Sequence, residues 1–442
     1  GSVIAHYADL VVDGLSVSPA SGLQSGGVMH IAWNDLNQGN LSADASWYDL
    51  VQVVNTSTGQ TLLSTTVYHN AASEGSVAAG GSLTRSHSFA LPEGDAGVGE
   101  LQITVTTDVY NYQYEYNASG TAEGNNSATA AATSYIASYA DLQVQNLNVS
   151  PSPLYSGNTM TITWEDANTG NLETDSSWYD RIVVVNTTTG VTLLNTHVYH
   201  SAASEGSVAA GSSLARSHSF ALPDGDAGVG SLQVTITTDV YNYQYEHNAG
   251  GTGESNNSAG TTVTSTIAPY ADLQVHNLSV TPSALHSGEV MTITWDDANT
   301  GNLAAGSSWH DRIVVVNETT GETLLNTTVY HNAGSEGSVA AGESMERAYD
   351  FALPNGDAGV GVMRVTVTAD CYGQQYEYNA GGDAESNNSA TATASATIAA
   401  YADLEVHNLN VSPSSGLQSG NTIHITWDDA NTGNLAAGSS WH

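Results

Sequence analysis

The sequence contains no lysine. Its six basic residues are all arginine and face 44 Asp and Glu, which gives a formal net charge of −38 at pH 7. Binding to phosphate backbones needs clustered Lys and Arg, so the composition excludes nucleic acid as a natural partner and argues against anionic membrane surfaces. The absence of lysine also excludes Lys–Asn isopeptide crosslinks. A chain this acidic is suited to gathering cations or to a salt-rich environment.

Cysteine and long apolar runs are equally scarce. Cys371 is the single cysteine and stands where Val109 and Val240 stand in sister copies of the same segment. We therefore interpret it as a core filler, with an intermolecular disulfide as the alternative. No stretch approaches the ~18 apolar residues of a membrane span. Because Gly-x-Ser-x-Gly, His-Glu-x-x-His and P-loop motifs are absent, we predict that the chain is not an enzyme.

An internal repeat organises the sequence. The segment YADL and its following strand begin at Tyr7, Tyr139, Tyr270 and Tyr401, at spacings of 132, 131 and 131 residues. This period predicts the tail of a preceding repeat at 1–6, full repeats at 7–138, 139–269 and 270–400, and a partial fourth at 401–442 with strands A, B and the start of C. We expect the partial repeat to be ordered only where other residues complete it. No Gly/Ser-rich spacer precedes Tyr139, which predicts rigid joints.

Each repeat is rich in Val, Thr, Ile, Tyr and Ser between Gly, Asn and Asp turns, a composition that favours strands. In the first repeat we predict seven strands, named A to G in chain order, at about 8–17, 28–34, 47–55, 60–69, 82–91, 100–109 and 126–136. Leu101, Ile103 and Val105 alternate with polar residues, as in a half-buried strand. The pattern predicts an all-β chain of tandem seven-stranded immunoglobulin-like sandwiches. Because an odd number of strands enters at one pole and leaves at the other, the repeats should stack head to tail in a rod.

Four segments of the second repeat carry a family resemblance. In order they are SWYDRIVVVN (177–186), LARSHSFALP (214–223), LQVTITTD (232–239) and ESNNS (254–258). Together they resemble the CARDB family, the cell-adhesion-related domains of bacterial and archaeal surface proteins. The resemblance implies an immunoglobulin-like sandwich used in tandem in large secreted or surface-anchored proteins, and it implies no catalytic residues. The chain departs from the family in its longer Tyr-rich loop after Asp239 and in Leu50, which replaces the arginine of the other repeats.

Recurring carboxylates predict a cation site. Along the predicted path of the seven strands, these carboxylates gather at the pole where strand A starts, which we call the top. Because Arg85 lies within strand E, we expect no arginine to compensate their negative charge. Oxygen-only ligands suit Ca²⁺. The predicted core combines the Asp after strand B, the Asp ending strand F and the first Glu of the F–G loop: Asp35, Asp108 and Glu115; Asp166, Asp239 and Glu246; Asp297, Asp370 and Glu377. Asp95 and Asp226 are the predicted partners from the bottom of the preceding repeat. Solvated acids in Asx turns are the alternative.

Two further residue sets are candidate sites. Tryptophans recur twice per repeat, and tyrosines stud the F–G loop, so Trp and Tyr surfaces could stack on sugars; Tyr112, Tyr114, Tyr243 and Tyr245 are the candidates. Packing in the core or over the top pole is the alternative reading. Asn-x-Ser/Thr sequons are candidate glycosylation sites in a secreted protein, although many arise by chance in such a composition. The candidates are the sequons that recur in all three full repeats, which begin at Asn55, Asn125, Asn186, Asn256, Asn317 and Asn387.

These features favour a non-catalytic extracellular structural array. It would form the stalk or filament body of a prokaryotic cell-surface, adhesin-like protein, stiffened by Ca²⁺ at its junctions. Its partners would be neighbouring repeats of the same chain or identical subunits, and a surface glycan. The alternative function is a carbohydrate-binding array that acts through Trp and Tyr surfaces.

Overall fold

The computed structural model describes residues 5–438 and 440. They fall into two compact units. The first contains residues up to Leu154 with Thr159–Ala221 and Gly230–Ser265, and the second contains Tyr155–Asn158, Leu222–Val229 and the residues from Thr266 onwards. None of the helices in the described part of the chain has the length and apolar character needed to cross a membrane.

The first repeat folds as two facing sheets. Its elements are β1 Leu10–Ser18, β2 Leu23–Gln24, β3 Val28–Asn37, β4 Trp47–Asn55, β5 Gln60–His69, α1 Ala71–Glu74, β6 Ser82–Ala90, β7 Gly99–Thr106 and β8 Ser127–Tyr135. The three-stranded sheet has the order β1-β3-β6, and the five-stranded sheet has the order β2-β8-β7-β4-β5. The seven predicted strands are therefore confirmed. The two-residue strand β2, which pairs in parallel with β8, was not predicted.

The second repeat has the same elements. They are β9 Leu142–Ser150, β10 Leu154–Tyr155, β11 Thr159–Asn168, β12 Trp178–Asn186, β13 Val191–His200, α2 Ala202–Glu205, β14 Ser213–Ala221, β15 Gly230–Thr237 and β16 Ser258–Thr266. Their sheets have the orders β14-β11-β9 and β10-β16-β15-β12-β13.

The second unit contains the third repeat and the start of the fourth. Its strands and helix are β17 Leu273–Thr281, β18 Ala284–His286, β19 Val290–Asn299, β20 Trp309–Asn317, β21 Glu322–His331, α3 Ala333–Glu336, β22 Ser344–Ala352, β23 Gly361–Thr368, β24 Ser389–Thr397, β25 Leu404–Ser412 and β26 His424–Asn431. The sheets are β17-β19-β22, β18-β24-β23-β20-β21 and β25-β26. The all-β, tandem sandwich fold is thus confirmed.

The core of each full repeat lies between its two sheets. Successive side chains of a strand point to opposite faces, so Met29, Ile31 and Trp33 of β3 face Val51 and Ile103 of the other sheet. All six tryptophans of the full repeats are at most 1% exposed: Trp33, Trp47, Trp164, Trp178, Trp295 and Trp309. The carbohydrate-binding alternative through tryptophan is therefore wrong for these residues, because burial in the sandwich leaves no ring face for a sugar.

An Asn-x-Gly turn fixes the start of each repeat against its B strand. The Asn168 side-chain oxygen accepts hydrogen bonds from the amides of Asp141 and Gly170, both at 3.1 Å. Its amide nitrogen donates to the carbonyl oxygens of Leu172 (2.7 Å) and Val208 (2.9 Å). Glycine is required at 170, since a Cβ there would lie 2.3 Å from a backbone carbonyl oxygen.

In the partial fourth repeat, β25 and β26 pair with each other. Apolar side chains that are buried in the full repeats are exposed here, among them Val406 (61%) and Trp427 (53%). The predicted start of strand C lies at Trp441 and His442, outside the described residues. The prediction that other residues must complete this repeat is consistent with these exposed faces and remains a prediction.

Candidate functional site

One arginine lies among buried carboxylates at the top of each full repeat. In the second repeat Arg216 Nε is 3.1 Å from Asp180 Oδ2 and 3.5 Å from Asp166 Oδ2. Its Nη1 is 3.4 Å from Glu205 Oε1. Arg85 and Arg347 occupy the equivalent place in the other repeats, within 3.4–3.7 Å of two aspartates each.

This arrangement corrects the expectation that the acidic cluster is uncompensated. Arg85 is opposite Trp33 in the register of β6 and β3, and its side chain extends between the sheets towards Asp49 of β4. Burial raises the pKa of Asp35, and repulsion from Asp49 raises it further. Asp35 is also part of strand β3 rather than of the turn after it. The guanidinium is thus the resident cation of this buried pair.

The predicted strand-F aspartates cap their own loop. Asp108 has a φ of 41°, and its two carboxylate oxygens accept hydrogen bonds from the amides of Tyr112 and Gln113, both at 2.8 Å. Asp239 and Asp370 make the same pair of bonds in their repeats. Burial raises the pKa of Asp108 to about 6. These carboxylates hold the Tyr-rich loop in place.

The predicted F–G glutamates bind the first strand of their repeat. Glu115 Oε2 accepts a hydrogen bond from the Leu10 amide at 2.8 Å, and Glu246 and Glu377 accept the equivalent bond at 2.7 Å. Burial is the main cause that raises their pKa values, to about 8 for Glu115, about 9 for Glu246 and about 8 for Glu377. These side chains are therefore largely protonated at neutral pH.

The three carboxylates of the predicted calcium core belong to separate hydrogen-bond sets, around the arginine, inside the loop and on strand A. Calcium at these residues remains a prediction. Across residues 5–438 and 440, no group of three or more His, Cys, Asp or Glu side chains is placed to hold a metal ion.

The joint between repeats is centred on the first tyrosine of the later repeat. The Tyr139 hydroxyl is 2.7 Å from Ser25 Oγ, accepts a hydrogen bond from the Gly94 amide (2.9 Å) and donates to Glu93 Oε2 (2.8 Å). In the second unit Tyr270 repeats this pattern with Ser156, Gly225 and Asp224. Tyr401 contacts Ser287 and Gly356 in the same way. Sequence reasoning marked these tyrosines as repeat starts but missed their role, although their recurrence one per joint was the available signal.

The junction aspartates contact aromatic residues rather than a carboxylate cluster. Asp95 Oδ1 lies 3.2 Å from His247 Nε2, and in the second unit the Tyr378 hydroxyl donates to Asp226 Oδ1 at 2.6 Å. Asp95 and Asp141 line one cavity of about 590 Å³ at the joint in the first unit. Asp141, the aspartate of the YADL segment, thus shares this cavity with Asp95. The predicted ligands Asp166, Asp239 and Glu246 instead remain in the arginine, loop and strand-A networks described above.

The candidate tyrosines separate into two groups. Tyr114 and Tyr245 pack on the first tyrosine of their repeat, with ring centroids 5.6 Å from Tyr7 and 5.3 Å from Tyr139. Tyr112 and Tyr243 instead belong to exposed clusters at the end of the five-stranded sheet. The first cluster contains Tyr48, Tyr68, Tyr110 and Tyr112, and the second contains Tyr179, Tyr199, Tyr241 and Tyr243.

The two sets of sequons differ in burial. Asn55, Asn186 and Asn317 are fully buried. The Asn55 amide nitrogen donates to the Val98 carbonyl oxygen at 2.8 Å. The folded domain thus withholds this first set from glycan attachment, which corrects the prediction for these three. Asn125, Asn256 and Asn387 are half-buried and donate to the Asp in the YADL segment at 2.9–3.0 Å. Glycosylation of this second set remains a prediction.

Comparison with known proteins yields similarities to solved structures. No protein-family model and no curated protein matches the chain. The crystal structure of the CARDB domain of the PF1109 protein from Pyrococcus furiosus, solved in complex with di-metal ions, is 19% identical; the match covers 29% of this chain and 96% of that one, with a TM-score of 0.22. The solution structure of the same domain is 20% identical; the match covers 30% of this chain and 100% of that one, with a TM-score of 0.22. The crystal structure of red sea bream transglutaminase is 12% identical; the match covers 67% of this chain and 37% of that one, with a TM-score of 0.20.

We expect the melting temperature to fall as pH rises from 5 to 9. The F–G glutamates have folded-state pKa values of about 8 to 9, above the unfolded value of about 4.3. Their stabilising contribution is complete below the unfolded pKa and is lost as pH rises through the folded pKa. The pKa of Glu205 is lowered, so this side chain changes the stability only at pH values near or below its unfolded pKa of about 4.3.

Thermal melts at pH 5, 7 and 9 measure this dependence. Glu246→Gln, which mimics the protonated side chain, should melt less pH-dependently than the unmodified chain. The exposed Glu173→Gln is the matched control in the same repeat. Stability that rises towards pH 9 would contradict the assignment.

Tyr139→Phe should loosen the joint between the first two repeats. The change removes a hydroxyl with three hydrogen-bond partners, a loss of about 1–3 kcal/mol. Hydrogen exchange at the Gly94 amide, which donates to this hydroxyl, should accelerate while the β3 and β4 amides stay protected. Tyr135→Phe is the control, since that side chain is 59% exposed. Unchanged exchange at Gly94 would refute the role of the tyrosine.

Proposed function

We propose that the chain is a non-catalytic extracellular array, the stalk or filament body of a prokaryotic surface protein. The observation that carries the proposal is the joint: each later repeat follows without a spacer, and its first tyrosine makes three hydrogen bonds to loops of the repeat before it. Such contacts favour transmission of force along the chain over free hinging. The resemblance to cell-adhesion-related domains supports the same role.

The partners in this proposal are further repeats of the same chain or identical subunits. The acidic composition, with 44 carboxylates and six arginines, supports an exterior environment rich in cations. The adhesive role is part of the proposal and rests on the family resemblance.

Small-angle scattering of the chain tests the array. We expect an extended particle whose length grows by about 40 Å per repeat, since a ten-residue strand spans roughly 33 Å. Tyr139→Phe combined with Tyr270→Phe should broaden the distribution of lengths. A compact globule, or freely hinged beads for the unmodified chain, would sink the proposal.

The proposal extends to Ca²⁺ at the acidic loops. Binding would require Asp239 to release the amides of Tyr243 and Gln244 and Glu246 to lose its proton. We expect Ca²⁺ to raise the melting temperature above that in EDTA or Mg²⁺, by mass action on the folded state. Identical melting in all three, with Asp239→Asn also silent, speaks against calcium.

A second candidate function is carbohydrate binding through the exposed tyrosine clusters. Tyr110 and Tyr112 are 56% and 59% exposed, and Tyr241 and Tyr243 are 52% and 56% exposed. Adjacent rings of this kind suit the apolar face of a sugar. Tyr112→Ala with Tyr243→Ala should abolish binding on a glycan array. No bound glycan for the unmodified chain would remove this candidate.

A further inference from the structure

Two exposed arginines have no carboxylate partner within the described part of the chain, although acids outnumber cations more than sevenfold. Arg85, Arg216 and Arg347 belong to the buried networks, and Arg364 forms an ion pair with Glu318 at 2.9 Å. Arg181 and Arg312 remain. Among the described residues, no carboxylate lies within ion-pair distance of either.

Both guanidinium groups are held in the same position. Arg181 Nε donates to Asn195 Oδ1 at 3.0 Å, and Arg312 Nε donates to Asn326 Oδ1 at 3.0 Å. Each asparagine belongs to the neighbouring D strand, β13 or β21. One neutral hydrogen bond thus orients each planar fork, while both arginines stay exposed on the outer face of the five-stranded sheet.

Neutral and aromatic side chains surround these arginines. In the third repeat, Arg312, Thr328 and Tyr372 line a cavity of about 580 Å³ that has no carboxylate in its wall. In the second repeat, the His197 ring stacks on Tyr241 with centroids 5.6 Å apart and an interplanar angle of 19°, and His197 is opposite Arg181 in the strand register. The second and third repeats therefore each present a guanidinium beside aromatic rings.

We propose that this face binds a glycan that carries isolated carboxylates, such as single uronic acids. The guanidinium fork matches a carboxylate in a bidentate manner, the rings pack on the apolar face of a sugar, and Asn and Thr side chains serve its hydroxyls. The proposal rests on the carbohydrate-binding candidate function and adds the charge of the ligand and the residues that read it.

A sparsely charged glycan suits this face better than a second copy of the chain does. Two copies of the chain, each with a net charge of −38, repel one another within the screening length. The more negative charge a ligand carries, the more strongly the chain repels it. A ligand with one carboxylate gains the pairing with the guanidinium and experiences little of this repulsion.

The arginine side-chain signals of the full chain provide the assay. The chain has six arginines, so labelling with ¹⁵N-arginine gives few Nε–Hε resonances, each assignable by substitution. The probes are a trisaccharide that ends in glucuronic acid, the methyl ester of the same trisaccharide, and a capped tri-glutamate peptide. We expect the acid to shift the Arg181 and Arg312 signals and to leave the buried arginines unmoved.

Substitutions separate charge recognition from sugar binding. Arg181→Leu with Arg312→Leu installs the residue that the first repeat carries at Leu50. This double substitution should weaken binding of the glucuronic acid trisaccharide about fivefold, which is the upper range for an exposed charge pair. It should leave binding of the methyl ester unchanged. Arg364→Gln is the matched control, because that side chain is on the same face but already paired.

The outcomes distinguish the two proposals. If neither sugar binds, the carbohydrate-binding function and this inference both fail. If the ester binds as tightly as the acid and the two arginine signals do not move, the inference fails and the candidate function survives. If the peptide binds as tightly as the acid, or if the signals shift with chain concentration alone, the partner is a protein and the glycan assignment is overturned.

Discussion

Burial of negative charge in a chain with six cations is the constraint on which each repeat depends. A buried carboxylate is costly unless it is paired, hydrogen-bonded or protonated. The structure uses all three remedies. One arginine pairs with the aspartates of the B and C strands, where burial and repulsion from Asp180 also raise the pKa of Asp166. Backbone amides satisfy the strand-F aspartate, and burial keeps the F–G glutamate largely protonated. Three of the six arginines form these buried pairs.

The joints follow from the same scarcity of cations. A joint between two acidic ends would need many cations to rely on charge pairs, and here a neutral tyrosine hydroxyl carries it instead. Its pKa is raised by burial, so the hydroxyl keeps its proton and can donate to Glu93. With the buried arginines committed and Arg364 paired, Arg181 and Arg312 stay available on the outer sheet face. That these two guanidinium groups form no ion pair is informative, because the chain has 44 carboxylates that could pair with them.

Much of the fold was predictable from local patterns. The period-2 alternation of Leu101, Ile103 and Val105 identifies a half-buried strand, and the four YADL segments identify the repeats. The turn at Asn168 is equally local, because its side-chain oxygen accepts a hydrogen bond from the amide of Gly170, two residues further on. These predictions succeed because strand periodicity and turn chemistry act over a few residues. The two-residue strand β2 escapes them, since its pairing partner is more than a hundred residues away.

The sequence by itself determined the all-β class, the repeat period and the seven strands. Only the tertiary structure decided which acids share a cation, because that depends on which strands face each other across the sandwich. It placed Arg216 beside Asp166 and Asp180, buried Asn55 within its sequon and divided the tyrosines between joint and surface. Composition counts charges, but the free energy of each charge depends on burial and on the groups that the fold brings within hydrogen-bond distance.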